Sequence, residues 1–255
     1  MRIAIVNCDQ RMQEVYFSLS HDYETIAINE FTAFDRFDGA DALVLPVKGL
    51  TATGSLYTAG KELAFPSSFW KKMRDVPIFT GIKQDFLNDF PHVHYYMEDP
   101  QMKAQNAVYT AEGTLYLLMD HTGRSIKDLR VDVIGYGLCG KEMVSWLNAL
   151  HIPTRIVRRT CMGEAHCISV EEYRHIECGD VIINTSIAPV VDRDLLNCWK
   201  KKPLIIDIAT PDVIDYDTAL SLGIRVIKAG NLPAQVAYES AGKGIADYVR
   251  GKLDW

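Results

Sequence analysis

The sequence predicts an α/β protein built of two doubly wound parallel-sheet domains joined by crossing helices. Three observations carry this. Short, wholly apolar runs bounded by turn residues recur in both halves, as they do where helices cover both faces of a parallel sheet. Segments with apolar residues at helical spacing separate those runs. At the head of the second half, the strand Val131-Asp132-Val133-Ile134 runs straight into Gly135-Tyr136-Gly137-Leu138-Cys139-Gly140 and then a helical pattern.

Taken in order, Arg2-Ile3-Ala4-Ile5-Val6 reads as a strand, followed by a helix from about Gln13 and a strand at Thr25-Ile26-Ala27-Ile28. A third strand covers Asp41-Ala42-Leu43-Val44-Leu45-Pro46. Val47 to Gly60, rich in Gly, Thr and Ser, reads as a loop at a strand's carboxyl end, where open α/β sheets bind ligands. Its Thr51, Thr53 and Ser55 are candidate substrate-binding hydroxyls. Pro66 to Arg74 reads as helix, Pro77-Ile78-Phe79-Thr80-Gly81 as a fourth strand, and His92 to Met97 as a weaker fifth. Residues 1–100 are thus assigned to a flavodoxin-like α/β domain for substrate and catalysis.

Residues 101–122 read as one connecting helix, since Ala104, Ala107, Val108, Ala111, Leu115, Leu118 and Met119 recur at helical spacing. Residues 123–232 hold the glycine motif, a helix marked by Met143, Val144, Leu147 and Leu150, and a strand at Thr154-Arg155-Ile156-Val157. Further strands are expected at Val181 to Asn184, Leu204 to Asp207 and Ile224 to Ile227. Within 233–255, a last helix of about Ala234 to Gly251 is expected to pack back on the first domain. Two domains of this kind leave a cleft, a usual place for a small-molecule site.

The glycine motif has the context that gives it meaning: after a strand, at the mouth of a helix, inside a βαβ unit of about 30 residues. Gly135 permits the tight turn, Gly137 lets backbone approach a pyrophosphate, and Gly140 lets helix and strand pack closely. The pyrophosphate then meets unpaired N–H groups at the helix N-terminus, where the dipole favours negative charge. This pattern marks a Rossmann dinucleotide site. An NAD site wants Asp or Glu at the end of the second strand, roughly 20 residues on, to accept from the ribose 2′-hydroxyl. Here the strand ends Val157-Arg158-Arg159-Thr160, with no acid in place. Two guanidinium groups and a hydroxyl suit a 2′-phosphate, so the cofactor predicted is NADP. Leu138 and Cys139 within the motif, and Thr185, Ser186 and Ala209 after later strands, complete the candidate cofactor set.

Composition narrows the remaining classes. The net charge of −6 argues against a general nucleic-acid binder. No apolar run approaches the roughly 20 residues of a membrane span, and the N-terminus reads as a strand rather than a signal peptide. The six cysteines lack a regular framework, and in a chain this large they read as reduced, cytoplasmic thiols. Cys161, His166, Cys167 and Cys178 lack paired C-x-x-C spacing, so no metal is expected.

Several stretches together resemble the dipicolinate synthase A-subunit family, over nearly the whole chain. They are Ile3-Ala4-Ile5-Val6 with Asp9 and Arg11, Leu45-Pro46-Val47 with its Thr/Gly loop, and Phe79-Thr80-Gly81-Ile82. The most specific is Ala111-Glu112-Gly113-Thr114 leading through Asp120-His121-Thr122 into the glycine motif. Ile183-Asn184-Thr185, Leu232-Pro233 and Ser240-Ala241-Gly242 continue it. A more distant likeness is to two-domain 2-hydroxyacid dehydrogenases. The resemblance implies oxidation of a cyclic dihydrodipicolinate-type or tetrahydrodipicolinate-type precursor to pyridine-2,6-dicarboxylate, a spore metabolite of sporulation, with NADP as acceptor. It also implies a flavoprotein-like partner, the B subunit of dipicolinate synthase. A homo-oligomer is the prior expectation for such an enzyme.

For a dicarboxylate substrate, an Arg fork is the natural grip, and Arg11 is the first candidate. Glu112 is the candidate general base, and His121 a second group for proton transfer. The chain departs from the family where substrate groups are expected. Thr210-Pro211-Asp212-Val213 stands where the family tends to carry Ser-Arg-Pro-Gly-Gly. Asn231-Leu232-Pro233-Ala234 replaces Gly-Leu-Pro-Gly, and Glu239 replaces a common Lys. Each acid near the site is expected to disfavour a dianion by about 1 kcal/mol or more.

Overall fold

The computed structural model describes residues 1–58 and 61–253. They form two compact units, one of residues 1–106 with 233–255 and one of residues 107–232. The division falls inside one continuous helix.

The first unit opens with β1 (Arg2–Val6), α1 (Gln10–Leu19), β2 (Glu24–Ile28) and β3 (Ala42–Val44). The helix α1 begins before the expected Gln13 because Asp9 caps it, its carboxylate accepting the Met12 N–H at 2.9 Å. The predicted loop after β3 contains a short antiparallel hairpin, β4 (Leu56–Thr58) with β5 (Lys61–Leu63). The loop expected to reach Gly60 therefore ends at a strand; Ala59 and Gly60 lie outside the described residues. Then come α2 (Ser67–Met73), β6 (Ile78–Thr80) and β7 (Val93–Tyr95). The main sheet is parallel with order β2-β1-β3-β6-β7. Leaving the hairpin aside, that is the flavodoxin-like order.

Helix α3 (Pro100–Thr122) leads into the second unit, which holds β8 (Val131–Ile134), α4 (Leu138–Ala149), β9 (Thr154–Arg158) and β10 (Cys167–Ser169). There follow α5 (Val170–Tyr173), β11 (Val181–Asn184), α6 (Arg193–Cys198), β12 (Leu204–Asp207), α7 (Tyr216–Ser221) and β13 (Val226–Lys228). The sheet order β10-β9-β8-β11-β12-β13 is, numbered from the glycine strand, the 3-2-1-4-5-6 of a Rossmann fold. The strand β10 is too short to stand out in the sequence, and β13 begins two residues later than the expected Ile224.

Both sheets are buried on two faces, which explains the continuous apolar runs. In β1, Ile3 and Ile5 join one core while Ala4 and Val6 join the other. In β11, Val181 and Ile183 face α3 and α4 residues while Ile182 faces Tyr173 and Leu195. Each such fully buried Ile or Leu contributes about 1.5–3 kcal/mol. The exception in β8 is Asp132, fully buried, which accepts from Arg155, the Tyr173 hydroxyl and the Gly179 N–H.

The chain closes with α8 (Pro233–Val236) and α9 (Tyr238–Leu253). Helix α9 packs on α1, and Gly242 allows it: a Cβ there would stand 2.7 Å from the Arg11 carbonyl oxygen. Arg250 fastens the pair through Asp22 at 2.8 Å.

Candidate functional site

The crevice begins where β8 ends. Gly135 has φ +93, a left-handed value that side chains rarely tolerate, and a Cβ there would lie 2.6 Å from Thr185 Oγ1. A Cβ on Gly140 would lie 2.4 Å from the Gly135 carbonyl oxygen, so helix and turn touch directly. Gly137 differs from both. A Cβ there would meet nothing within 4 Å, so the space beside it is open. Gly137 is also the N-cap of α4 and supplies no side-chain hydrogen bond. The first-turn N–H groups of α4, at Leu138, Cys139 and Gly140, therefore keep their donors and the positive helix end.

Thr185 braces this turn rather than facing outward. Its hydroxyl donates to the Ile134 carbonyl at 3.0 Å and its N–H to the same oxygen at 2.8 Å. The Ser186 hydroxyl accepts the Ala188 N–H at 3.1 Å. Leu138 is exposed, whereas Cys139 is half-buried. Burial pushes the Cys139 thiol above its ordinary pKa, against a hydrogen bond from Thr110.

A cavity of about 570 Å³ opens beside the turn, lined by Gly135, Tyr136, Gly137, Arg158, Arg159, Thr160, Met162 and Ser186 among others. It therefore joins the glycine turn to the end of β9. Arg159 and Thr160 are exposed on its wall. Arg158 is engaged: its Nη1 donates to the Glu164 carboxylate, and its guanidinium lies 5.7 Å from the Tyr136 ring centroid. Glu164 is silent in the sequence because it sits in the loop beyond the strand, where no spacing marks it.

The same loop corrects the reading of the cysteines. Cys161 and Cys167 are joined in a disulfide, while Cys8, Cys139, Cys178 and Cys198 take part in none. The pairing comes from register: β10 runs beside β9 with Cys167 opposite Ile156, which brings the chain back to Cys161. Among the described residues, no group of three or more His, Cys, Asp and Glu side chains is placed to hold a metal.

At the carboxyl ends of β11 and β12 lies a polar group that sequence reasoning misses. Asn184 Nδ2 donates to Asp207 Oδ1 at 2.8 Å, and the Tyr216 hydroxyl donates to Asp207 Oδ2. The Ala209 N–H donates to the same carboxylate at 3.2 Å. The available signal is a polar residue ending each of two apolar strands, Ile-Ile-Asn and Ile-Ile-Asp. Asp212, expected to repel a dianion, is paired with Lys228 at 2.5 Å. Lys228 also lies 3.8 Å from the Tyr216 ring centroid, so this position carries a cation as well as an anion.

Glu112 is half-buried on α3; burial first, and the nearby Glu112 carboxylate second, push the Tyr109 phenol up. His121 is elsewhere. Arg225, just before β13, donates to His121 Nδ1 at 2.7 Å and to its carbonyl at 3.2 Å. Because the strands are parallel, that is the opposite end of the sheet from the glycine turn, and His121 terminates a helix there. In the first unit, Arg11 is 3% exposed and its guanidinium lies 3.5 Å from Asp9. Thr51 Oγ1 accepts the Ser55 N–H at 3.1 Å and is 2.8 Å from Thr53 Oγ1, so these hydroxyls shape their own loop.

No protein-family model matches the chain. The sequence is 26% identical over 278 aligned positions to the A subunit of dipicolinate synthase from Bacillus subtilis, covering 97% of this chain and 94% of that one. The crystal structure of the corresponding protein from Bacillus halodurans superposes with a TM-score of 0.84 at 24% identity, over 99% of this chain and 97% of that one. The NADPH-dependent glyoxylate/hydroxypyruvate reductase of Sinorhizobium meliloti, solved with NADP and malonate, gives 0.58 at 14% identity over 99% and 93%. In sequence and in fold the chain is therefore similar to the dipicolinate synthase A protein, with two-domain 2-hydroxyacid dehydrogenases as more distant neighbours.

Proposed function

We propose that residues 107–232 bind NADP(H) and that the protein is a cytoplasmic oxidoreductase of the dipicolinate synthase A type. The carrying observation is the uncapped N-terminus of α4 behind the glycine turn, opening on a cavity whose far wall holds Arg158 and Arg159. The residues fit the cofactor. The open space at Gly137 admits a pyrophosphate, the α4 N–H groups receive it, and the two arginines and Thr160 suit a 2′-phosphate. When bound, the nicotinamide supplies the hydride acceptor.

The protein's own part is positioning and proton transfer. Thr185 holds the turn through Ile134, and the Asn184–Asp207–Tyr216 network fixes the floor at the ends of β11 and β12. We assign Glu112 as general base toward a tetrahydrodipicolinate-type dicarboxylate. The proposed partner is the B subunit of dipicolinate synthase, on the name of the relative. A second reading, another NADP-linked oxidoreductase for a small carboxylate, is favoured by one observation: Asp212 with Lys228 stands where the family tends to carry Arg.

The test is NADPH formation with freshly generated tetrahydrodipicolinate, with and without the B subunit. Appearance of NADPH and dipicolinate together is expected, with two NADPH and two protons for each dipicolinate, because tetrahydrodipicolinate carries four more hydrogens than the aromatic diacid. Tight NADP binding without product in either assay selects the second reading or a non-catalytic NADP-binding protein. If Glu112→Gln turns over at the wild-type rate with saturating cofactor, the base is another group.

A further inference from the structure

We propose that Glu164 and the Cys161–Cys167 disulfide form a lock on Arg158 that lowers affinity for NADP(H), and that reducing the disulfide releases it. The inference deepens the NADP reading above and rests on it.

The geometry is local. Strand β9 ends at Arg158, and the chain returns as β10 at Cys167; the disulfide closes the six-residue separation between Cys161 and Cys167 into a ring. Glu164 sits at the middle of that ring. One of its carboxylate oxygens accepts from Arg158 Nη1, and the other accepts the Met162 N–H at 2.7 Å. The Glu164 carbonyl accepts the Cys167 N–H at 3.3 Å, so the ring is fastened at both ends. Met162 and Arg158 line the cavity that receives the nucleotide. The guanidinium best placed at the end of β9 thus already holds a carboxylate, and a 2′-phosphate must displace it. The backbone N–H groups of Met162 and Glu164, with Arg158, hold the Glu164 carboxyl below its ordinary pKa, so it is charged at neutral pH.

The ring limits how far Glu164 can move aside. Opening it restores backbone freedom to residues 161–167, and Glu164 can then yield to a phosphate at lower cost. Met162, Gly163, Ala165 and His166 are exposed, so a reductant can reach the ring. A dithiol reductant supplies two electrons and two protons. The Sγ–Sγ bond breaks, Cys161 and Cys167 each gain S–H, and the dithiol closes to its own disulfide. Selectivity follows from the phosphate, since NAD(H) has a 2′-hydroxyl and does not compete for Arg158.

The experiment uses the full chain, oxidised with glutathione disulfide or reduced with dithiothreitol, and titrates each form with NADPH and NADH by nucleotide fluorescence. Alkylation and mass analysis read the state of Cys161 and Cys167. Reduction is expected to tighten NADPH about tenfold and leave NADH unchanged. Cys161→Ser with Cys167→Ser should bind NADPH like the reduced form without reductant. Glu164→Gln should bind tightly in both states. Equal or weaker NADPH binding on reduction overturns the lock while leaving the NADP reading intact. Recovery of both cysteines as free thiols from the oxidised sample also overturns it. Absence of NADPH binding in every form overturns the NADP reading itself, and the lock falls with it.

Discussion

The chain makes the same strand-to-helix turn twice, and the two turns treat the helix end in opposite ways. At β1–α1 the N-cap is Asp9, whose carboxylate takes the Met12 N–H and pairs with Arg11. At β8–α4 the N-cap is Gly137, which offers no side chain. Both helices start from the carboxyl end of a parallel strand, so both ends are suited to an anion. In the first the protein supplies that anion itself. In the second it leaves the place open. Topology creates the opportunity, and one side chain decides whether a ligand can use it.

The sharpest way to break this contrast is to give the second turn the cap of the first. Gly137→Asp has room for its side chain and an extended backbone, so the fold should persist or gain up to about 1 kcal/mol from the new cap. NADPH affinity should fall about 100-fold or more, because the new carboxylate repels the pyrophosphate at short range. Unchanged affinity would mean that the phosphates lie elsewhere.

The reverse change has a smaller effect of the other kind. Asp9→Ala should lower unfolding free energy by about 1–2 kcal/mol through the lost cap, read in denaturant melts, with NADPH affinity unchanged. Next comes Arg159→Ala, expected to weaken NADPH about tenfold and NADH not at all. An equal loss for both nucleotides would place Arg159 on the shared pyrophosphate instead.

The smallest effect concerns the cysteine that each turn carries. Burial pushes the Cys8 thiol up to about 12 and raises that of Cys139 as well. A raised thiol pKa keeps the neutral form below it, so at pH 8 only about 1 in 10,000 Cys8 side chains is thiolate. Alkylation by iodoacetamide should be slow at both and should quicken as pH climbs. Fast labelling of Cys139 at pH 7 would show the helix dipole outweighing burial there.

Legibility followed the range of the interactions. The runs Ile3-Ala4-Ile5-Val6 and Val181-Ile182-Ile183 announce buried parallel strands because every residue in them meets apolar neighbours. The glycine turn is legible because its demands are local: Gly135 takes a left-handed φ of +93, and Gly140 sits against the Gly135 carbonyl five residues before it. The hairpin at Leu56–Thr58 and Lys61–Leu63 was not, since three-residue strands carry too little pattern to stand out from a loop. His121 is a proton-transfer candidate in the sequence, and what the sequence does not show is its contact near the end of α3 with Arg225, distant in the chain.

By itself, then, the sequence determined the α/β class, the Rossmann turn and the basic end of the second strand, all written in contiguous residues. Only the tertiary structure decided what those residues face. It placed Glu164 on Arg158, Lys228 on Asp212 and Cys167 beside Cys161, and it buried Arg11. The reason is physical. Backbone conformation and burial pattern are set largely by near neighbours, whereas a charge or a thiol is defined by whichever partner the fold brings to it.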